Sequence, residues 1–223
     1  MDVPTYQRAR TPERKKERES AFLEAARLIA SRQGVRSVTL VGIAAEAGLH
    51  HSALRRYFRS PKHVLLQLAA DGWKSWADRL GSMLDGRQVT PELAAHVVVD
   101  TLVIDPLFCD LLGNVPLHLE RDLELDDLRD FKTVAMAAHA RIVASIAGAA
   151  SELGPAGAAD LITATNALAA TLWQVTHPDQ GLAQLYREEP ELGRHPAGFE
   201  TTLRRLLTAQ AAGLATAARP RPS

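Results

Sequence analysis

The chain has 223 residues, room for one large or two modest domains. Apolar residues make up 46% and charged residues 23%, a balance that excludes a disordered chain. The net charge is zero, but residues 1–62 carry 13 Lys and Arg against 6 Asp and Glu, while the rest carries 13 against 20. A basic block on a neutral chain points to a polyanion met by that block alone. A solvated basic helix gives the same count, so the block needs a motif beside it.

The patterning is helical almost throughout, and Val97-Val98-Val99 sits inside a helical period, so the fold class is all-α. Thr11-Pro12-Glu13, Ser60-Pro61-Lys62 and Thr90-Pro91-Glu92 share one punctuation. Ser or Thr accepts an orphan backbone N–H at the N-cap, and Pro at the first helical position has none to leave unpaired. Helices are predicted to start near 12, 61 and 91.

The first helix runs to about Arg32, with Phe22, Ala25, Ala26 and Ile29 on one face and Gly34 as its stop. A short helix follows Thr39, a third spans His50 to Phe58, and a fourth runs from Pro61 to about Leu80, ending before Gly81. Beyond lie a helix over 91–104, a broken segment over 106–120 and a long helix over 122–150. The long helix carries a stripe of Leu128, Phe131, Ala135, Ala138, Ile142 and Ile146. Gly154-Pro155 breaks the chain before an Ala-rich helix over 156–176. Residues 177–197 form a long connection with one short helix around Leu182–Tyr186, and a last helix covers 198–215. The Arg-Pro-Arg-Pro-Ser tail, 219–223, is expected to be disordered.

The informative stretch runs from Thr39 to Phe58. Ile43 points into a small core, and Ala44 and Ala47 let another helix come close. Gly48 permits the reversal of a tight inter-helix turn, and Leu49 plugs the corner. Leu54 and Phe58 pin the third helix, which leaves His51, Ser52, Arg55 and Arg56 facing outward. Eight residues from His50 to Tyr57 span about 12 Å at ~1.5 Å each, a length that suits a DNA major groove.

From Phe22 to about Leu66 the chain resembles the tetracycline-repressor-like (TetR/AcrR) family. The resemblance rests on Phe22-Leu23-Glu24-Ala25-Ala26-Arg27-Leu28, Gly34, Val38-Thr39, Ile43-Ala44, Ala47-Gly48-Leu49 and Tyr57-Phe58, at the family's spacing without a gap. It implies a three-helix DNA-binding unit with a helix-turn-helix. A fourth helix would lead into a larger α-helical domain that dimerises and binds a small molecule. By resemblance Thr39, the residues His50, His51, Ser52, Ala53, Arg55, Arg56 and Tyr57 of the third helix, and Lys62 meet DNA. The chain departs from the family at several positions. Ser52-Ala53 stands where a Gly-Thr or Gly-Ser pair is common, Arg55 where Tyr is common, Pro61 where Lys is common, and His50 where Ser is common. Arg55 and Lys62 are charged substitutes at or beside two of these positions, so DNA binding is retained while the sequence read differs.

Each residue also has a plainer reading. Arg56 reads guanine or clamps phosphate. His50 and His51 are adjacent and point apart, a poor metal pair. Thr39 caps a helix and by resemblance contacts phosphate, two compatible roles. His96, His118, His139, Trp173 and Gln174 stand in apolar helical surroundings and are candidates for an amphipathic ligand pocket. Each taken singly fits a satisfied core or surface side chain. Cys109, in Leu107-Phe108-Cys109, reads as a buried structural thiol, and a single cysteine excludes an internal disulfide.

No nucleophile–base spacing, metal constellation or glycine-rich phosphate loop occurs, so neither an enzyme nor a cofactor is expected. No stretch resembles a signal peptide or a membrane span, so the protein is expected in the cytoplasm. The expected organisation is a helix-turn-helix domain over 1–62 and an α-helical regulatory and dimerisation domain over 63–218. The expected function is a homodimeric repressor released from a palindromic operator in double-stranded DNA by a small molecule. The alternative is a DNA-bound adaptor whose C-terminal bundle docks a protein partner.

Overall fold

The computed structural model describes residues 12–193 and 198–218. Among the described residues it holds ten α-helices and no strand. The chain splits at Val64/Leu65 into two compact units. The expected N-cap Thr11 and the tail 219–223 lie outside the described residues.

In the first unit, α1 (Pro12–Gln33) buries Phe22, Ala25, Ala26, Ile29 and Ala30. These recur at i, i+3 and i+4, so they form one stripe, while residues 13–18 stay charged and exposed. Gly34 ends the helix at φ +85°, its N–H bonded to the Ala30 carbonyl at 2.8 Å. A 3₁₀ turn (Val35–Ser37), α2 (Leu40–Glu46) and α3 (His51–Leu54) follow. α4 (Pro61–Leu84) begins here, with the Ser60 hydroxyl accepting the His63 N–H at 3.2 Å as the Ser-Pro punctuation predicts.

The sequence predicts that α4 stops before Gly81; it continues to Leu84. The reversal comes instead at Gly86, at φ +64°. Gly81 remains helical, and a Cβ there would meet Ser145 Oγ at an ordinary 3.7 Å.

In the second unit Thr90 caps α5 (Pro91–Leu102) by accepting from the Leu93 N–H at 3.2 Å. Asp105 caps α6 (Pro106–Asn114) in the same way through Phe108 N–H at 3.1 Å. The broken segment then becomes a π-helical stretch over Val115–Leu119. Pro116 has no N–H for an α-helical bond, and Glu120 N–H reaches back to the Val115 carbonyl at 3.1 Å. α7 is Leu125–Ala149 and α8 is Gly154–Thr176. α9 (Gln180–Glu188) is longer than expected because Asp179 caps it, accepting from Leu182 N–H at 2.9 Å. A 3₁₀ turn over Pro190–Leu192 and α10 (Phe199–Ala218) complete the described chain.

α8 packs against α6, α7 and α10, and α10 also against α5. Trp76, Leu80, Leu102, Phe108, Ile142, Ile146 and Leu161 are fully buried. Each such side chain contributes about 1.5–3 kcal/mol against exposure. Two close approaches require glycine. A Cβ on Gly72 would lie 2.3 Å from the Phe108 ring, and one on Gly113 would lie 3.0 Å from the Ala170 carbonyl oxygen of α8. The Trp76 indole N–H donates to Thr101 Oγ1 at 3.1 Å, and that hydroxyl donates to the Val97 carbonyl at 2.7 Å. Cys109 is buried, and desolvation pushes its thiol up to about 12, so it packs as an apolar residue.

Candidate nucleic-acid interface

The surface expected to meet DNA is built from α2, the turn after it and the segment that follows. Thr39 is extended (φ −129°, ψ 153°), and its Oγ1 accepts from the Gly42 N–H at 3.0 Å. It therefore caps α2, which the sequence predicts, and its side chain stays exposed. Gly42 lets α2 seat on α1, since a Cβ there would meet Thr39 Oγ1 at 3.1 Å and Ile29 Cδ1 at 3.5 Å. Ile43 and Ala44 are buried beneath.

α2 ends in a Schellman turn. Gly48 stands at φ +63°, its N–H bonds the Ala45 carbonyl at 3.1 Å, and the Leu49 N–H closes on the Ala44 carbonyl at 3.0 Å. A side chain at Gly48 would strain this turn, which sets the direction in which the next segment leaves.

That segment is shorter as an α-helix than the sequence predicts. α3 covers His51–Leu54 rather than His50 to Phe58. Beyond it the chain continues in three-residue turns, with Arg56 N–H to the Ala53 carbonyl at 3.3 Å and Tyr57 N–H to the Leu54 carbonyl at 2.9 Å. The Phe58 N–H closes back on the Leu54 carbonyl at 3.0 Å, an α-type bond, and both of these side chains are buried. Ser52, Arg55 and Arg56 are exposed, while Ala53 and Tyr57 are half-buried. Among the described residues neither arginine forms an ion pair. Tyr57 rests on Phe22, ring centroids 5.6 Å apart. Lys62, in the first turn of α4, is half-buried. Thr39, Ser52, Arg55, Arg56 and Lys62 thus fall within one small unit that also carries the basic surplus.

Two features were not singled out from the sequence. Val41 is 68% exposed, a large apolar side chain two residues from Thr39. The inward-pointing Ile43, about 200° round the helix from Val41, is the sequence signal for it. The second is the contact His50 makes with Ser52: its Nδ1 lies 2.8 Å from Ser52 Oγ and accepts from the Ser52 N–H at 3.2 Å.

The five candidate ligand residues occupy different places in the second unit. His96 lines an open groove of about 510 Å³ with Thr201, Arg204, Arg205 and Thr208 of α10. His118 is exposed on the π-helical stretch. His139 lies edge-on to Trp73, centroids 6.2 Å apart. Trp173 stacks on His177 at 3.8 Å and meets Phe199 edge-on at 5.1 Å. Gln174 donates to Asp110 Oδ1 at 2.8 Å, joining α8 to α6. Arg204 bridges Asp100 of α5 at 2.5 Å and Glu200 of its own helix at 2.6 Å.

Among the described residues no helix is long and apolar enough to cross a membrane, and no cluster of His, Cys, Asp and Glu could hold a metal. Residues 70–218 match the family model described as the tetracyclin repressor-like C-terminal domain. No curated protein matches the chain. The multidrug binding protein EbrR, solved with imidazole, is 17% identical at a TM-score of 0.53, covering 92% of this chain and 97% of its own. A TetR-family transcriptional regulator of Mesorhizobium loti MAFF303099 is 14% identical at a TM-score of 0.53, covering 93% and 98%. A protein of Pseudomonas aeruginosa PAO1 described as a transcriptional regulator is 14% identical at a TM-score of 0.54, covering 91% and 92%. At these identities the likeness is one of fold, whereas the family match spans most of the chain itself. The chain belongs to the tetracyclin repressor-like family of transcriptional regulators.

Proposed function

We propose that the chain acts as a homodimer that binds a palindromic operator through the segment from Thr39 to Lys62 and releases it when a small molecule enters the second unit. The observation that carries this reading is the capped α2, the Gly48 turn and the outward Ser52, Arg55 and Arg56. An exposed arginine without an ion-pair partner among the described residues is available to pair with phosphate or a guanine edge. Two such segments in a dimer, one helical turn or ~34 Å apart, would read a palindrome.

The dimer surface is supported by α8 and α10. α8 turns Gly157, Ala158, Leu161, Ile162, Thr165 and Ala169 inward. It leaves Ala164, Leu168, Thr171, Leu172 and Val175 on a partly or fully exposed stripe. An apolar stripe of this kind needs a cover. Leu206, Gln210 and Leu214 continue a similar stripe on α10.

A ligand that binds two states of the dimer unequally shifts the population between them. α4 is the chain's path from the first unit to the second. The adaptor reading draws on the open character of the groove beside His96, which suits a protein segment as well as a small molecule.

Selection of bound duplexes from random DNA, repeated with fractionated metabolite extract, tests the reading. Recovery of a palindrome that one small-molecule fraction releases supports it. Recovery of no preferred sequence overturns it. A palindrome released by no fraction favours the adaptor.

A further inference from the structure

The start of the recognition segment is held by the His50 side chain. His50 precedes α3, where a helix leaves its first N–H groups without partners. The His50 ring supplies the missing acceptor: Nδ1 lies 3.2 Å from the Ser52 backbone N and 2.8 Å from Ser52 Oγ. Ala53 N–H bonds the His50 carbonyl at 2.9 Å and completes the cap. A backbone N–H can only donate, so Nδ1 must hold a lone pair. The ring is then neutral, with its proton on Nε2. Among the described residues both ring hydrogen bonds go to Ser52, and His50 forms no ion pair that would favour its cation.

We propose that His50 is a positioning residue for DNA reading: its neutral Nδ1 caps the recognition segment, and Nε2–H remains as a donor toward the DNA. The inference rests on the DNA-binding reading above. Protonating Nδ1 would remove the acceptor for the Ser52 N–H and set two donors against each other. The turn that aims Ser52, Arg55 and Arg56 would loosen. A phosphate contact alone predicts the opposite sign, because an imidazolium attracts phosphate better than a neutral ring. The two roles are therefore separable by pH. Acidification weakens binding if the cap dominates and strengthens it if charge dominates.

The test uses the full-length protein and one fixed duplex of roughly 30 base pairs, drawn from the random-DNA selection. Affinity is measured between pH 8 and pH 5.5 at constant salt for wild type, His50→Ser and His50→Ala. Serine caps without titrating in this range; alanine does not cap. At pH 8, His50→Ala should weaken binding about 5-fold, the ordinary worth of an N-cap, and His50→Ser should recover most of that loss. Toward pH 5.5, wild type should weaken relative to His50→Ser by up to about 5-fold, the worth of the cap itself. The ratio between these two proteins cancels the titration of His51, His63 and every other group they share. A flat ratio, or wild type tightening relative to His50→Ser, overturns the proposal. Nitrogen-15 NMR of the free protein is independent of DNA. A protonated Nδ1 on neutral His50 overturns the cap even if DNA is bound, whereas an unprotonated Nδ1 with no DNA binding at pH 8 sinks the functional reading and leaves the cap standing.

Discussion

The Tyr57 ring lies against Phe22 with centroids 5.6 Å apart and planes at 58°, so the end of the recognition segment is fastened to α1 by an aromatic pair. Such pairs contribute about 0.5–1.5 kcal/mol beyond the area they bury. Tyr57 is therefore both a packing residue and, by its phenol, a candidate DNA contact. Tyr57→Phe should leave thermal stability within about 0.5 kcal/mol of wild type, because the ring stays. If the hydroxyl reaches phosphate, DNA affinity falls several-fold at an unchanged salt slope, because a neutral phenol releases no counterion. Tyr57→Ala should lower both stability and affinity. Equal affinity for wild type and Tyr57→Phe would leave Tyr57 with packing alone.

Gly72 is the tightest approach in the second unit. The Cβ of an alanine there would sit 2.3 Å from the Phe108 ring, which itself packs on Trp73 at 5.5 Å and Trp76 at 6.0 Å. Phe108 is fully buried, so it has no free volume to enter. Gly72→Ala should cost about 1–3 kcal/mol by overpacking, outweighing any gain in helix propensity. Gly148→Ala is the control, since a Cβ there meets nothing within 4 Å. Thermal denaturation of the two variants checks this: equal melting temperatures would mean that Phe108 moves freely.

Much of this architecture can be read from local chemistry. Pro61 and Pro91 begin helices because each follows a hydroxyl that caps, and Gly48 reverses the chain because only glycine takes its φ without strain. The errors come where local signals are degenerate. Gly81 and Gly86 look alike in sequence, yet only Gly86 adopts a positive φ, since the packing of α4 carries the helix through Gly81. The recognition segment reads as one helix from His50 to Phe58, but its second half runs through the turns Arg56 N–H to Ala53 and Tyr57 N–H to Leu54, which the apolar spacing of Leu54 and Phe58 does not reveal. The candidate ligand residues were marked by type within apolar runs. Type alone cannot say that His139 faces Trp73 while His96 faces α10, because that depends on helices distant in sequence. The resemblance rests on residues 22–66, whereas the family match covers 70–218, where no short motif stands out in the sequence.

The α8 stripe makes a prediction about assembly. Leu168 is half-buried in the single chain and stands at the centre of the stripe from Ala164 to Val175. If a second copy covers it, Leu168→Glu places an unpaired charge in an apolar interface, at a cost of several kcal/mol. Sedimentation at micromolar concentration should then show monomer. In a chain that never dimerises through this face, the same change is a surface substitution worth about 0.5 kcal/mol or less. An intact dimer in the mutant would move the interface elsewhere.

Arg55 and Arg56 are expected to differ, one clamping phosphate and the other reading bases. Both are exposed, and both follow the last residue of α3 in three-residue turns. Successive residues there are rotated by about 120°, so the two side chains cannot address the same feature of a groove. Leu54 and Phe58 are buried, which fixes the inward direction and leaves Arg56 on the side expected to face base edges. Arg55 occupies the position that by family resemblance touches phosphate. Arg55→Ala should therefore weaken binding to the selected operator and to random DNA by similar factors. Arg56→Ala should lose about 1–3 kcal/mol on the operator alone and relax the preference at one base pair per half-site. The measurement is the affinity of each mutant for the operator and its single-base variants at fixed salt. If Arg56→Ala weakens every duplex equally, Arg56 is a clamp, and the reading of bases passes to Ser52, to His50 through its Nε2–H, or to the exposed Val41 against a thymine methyl.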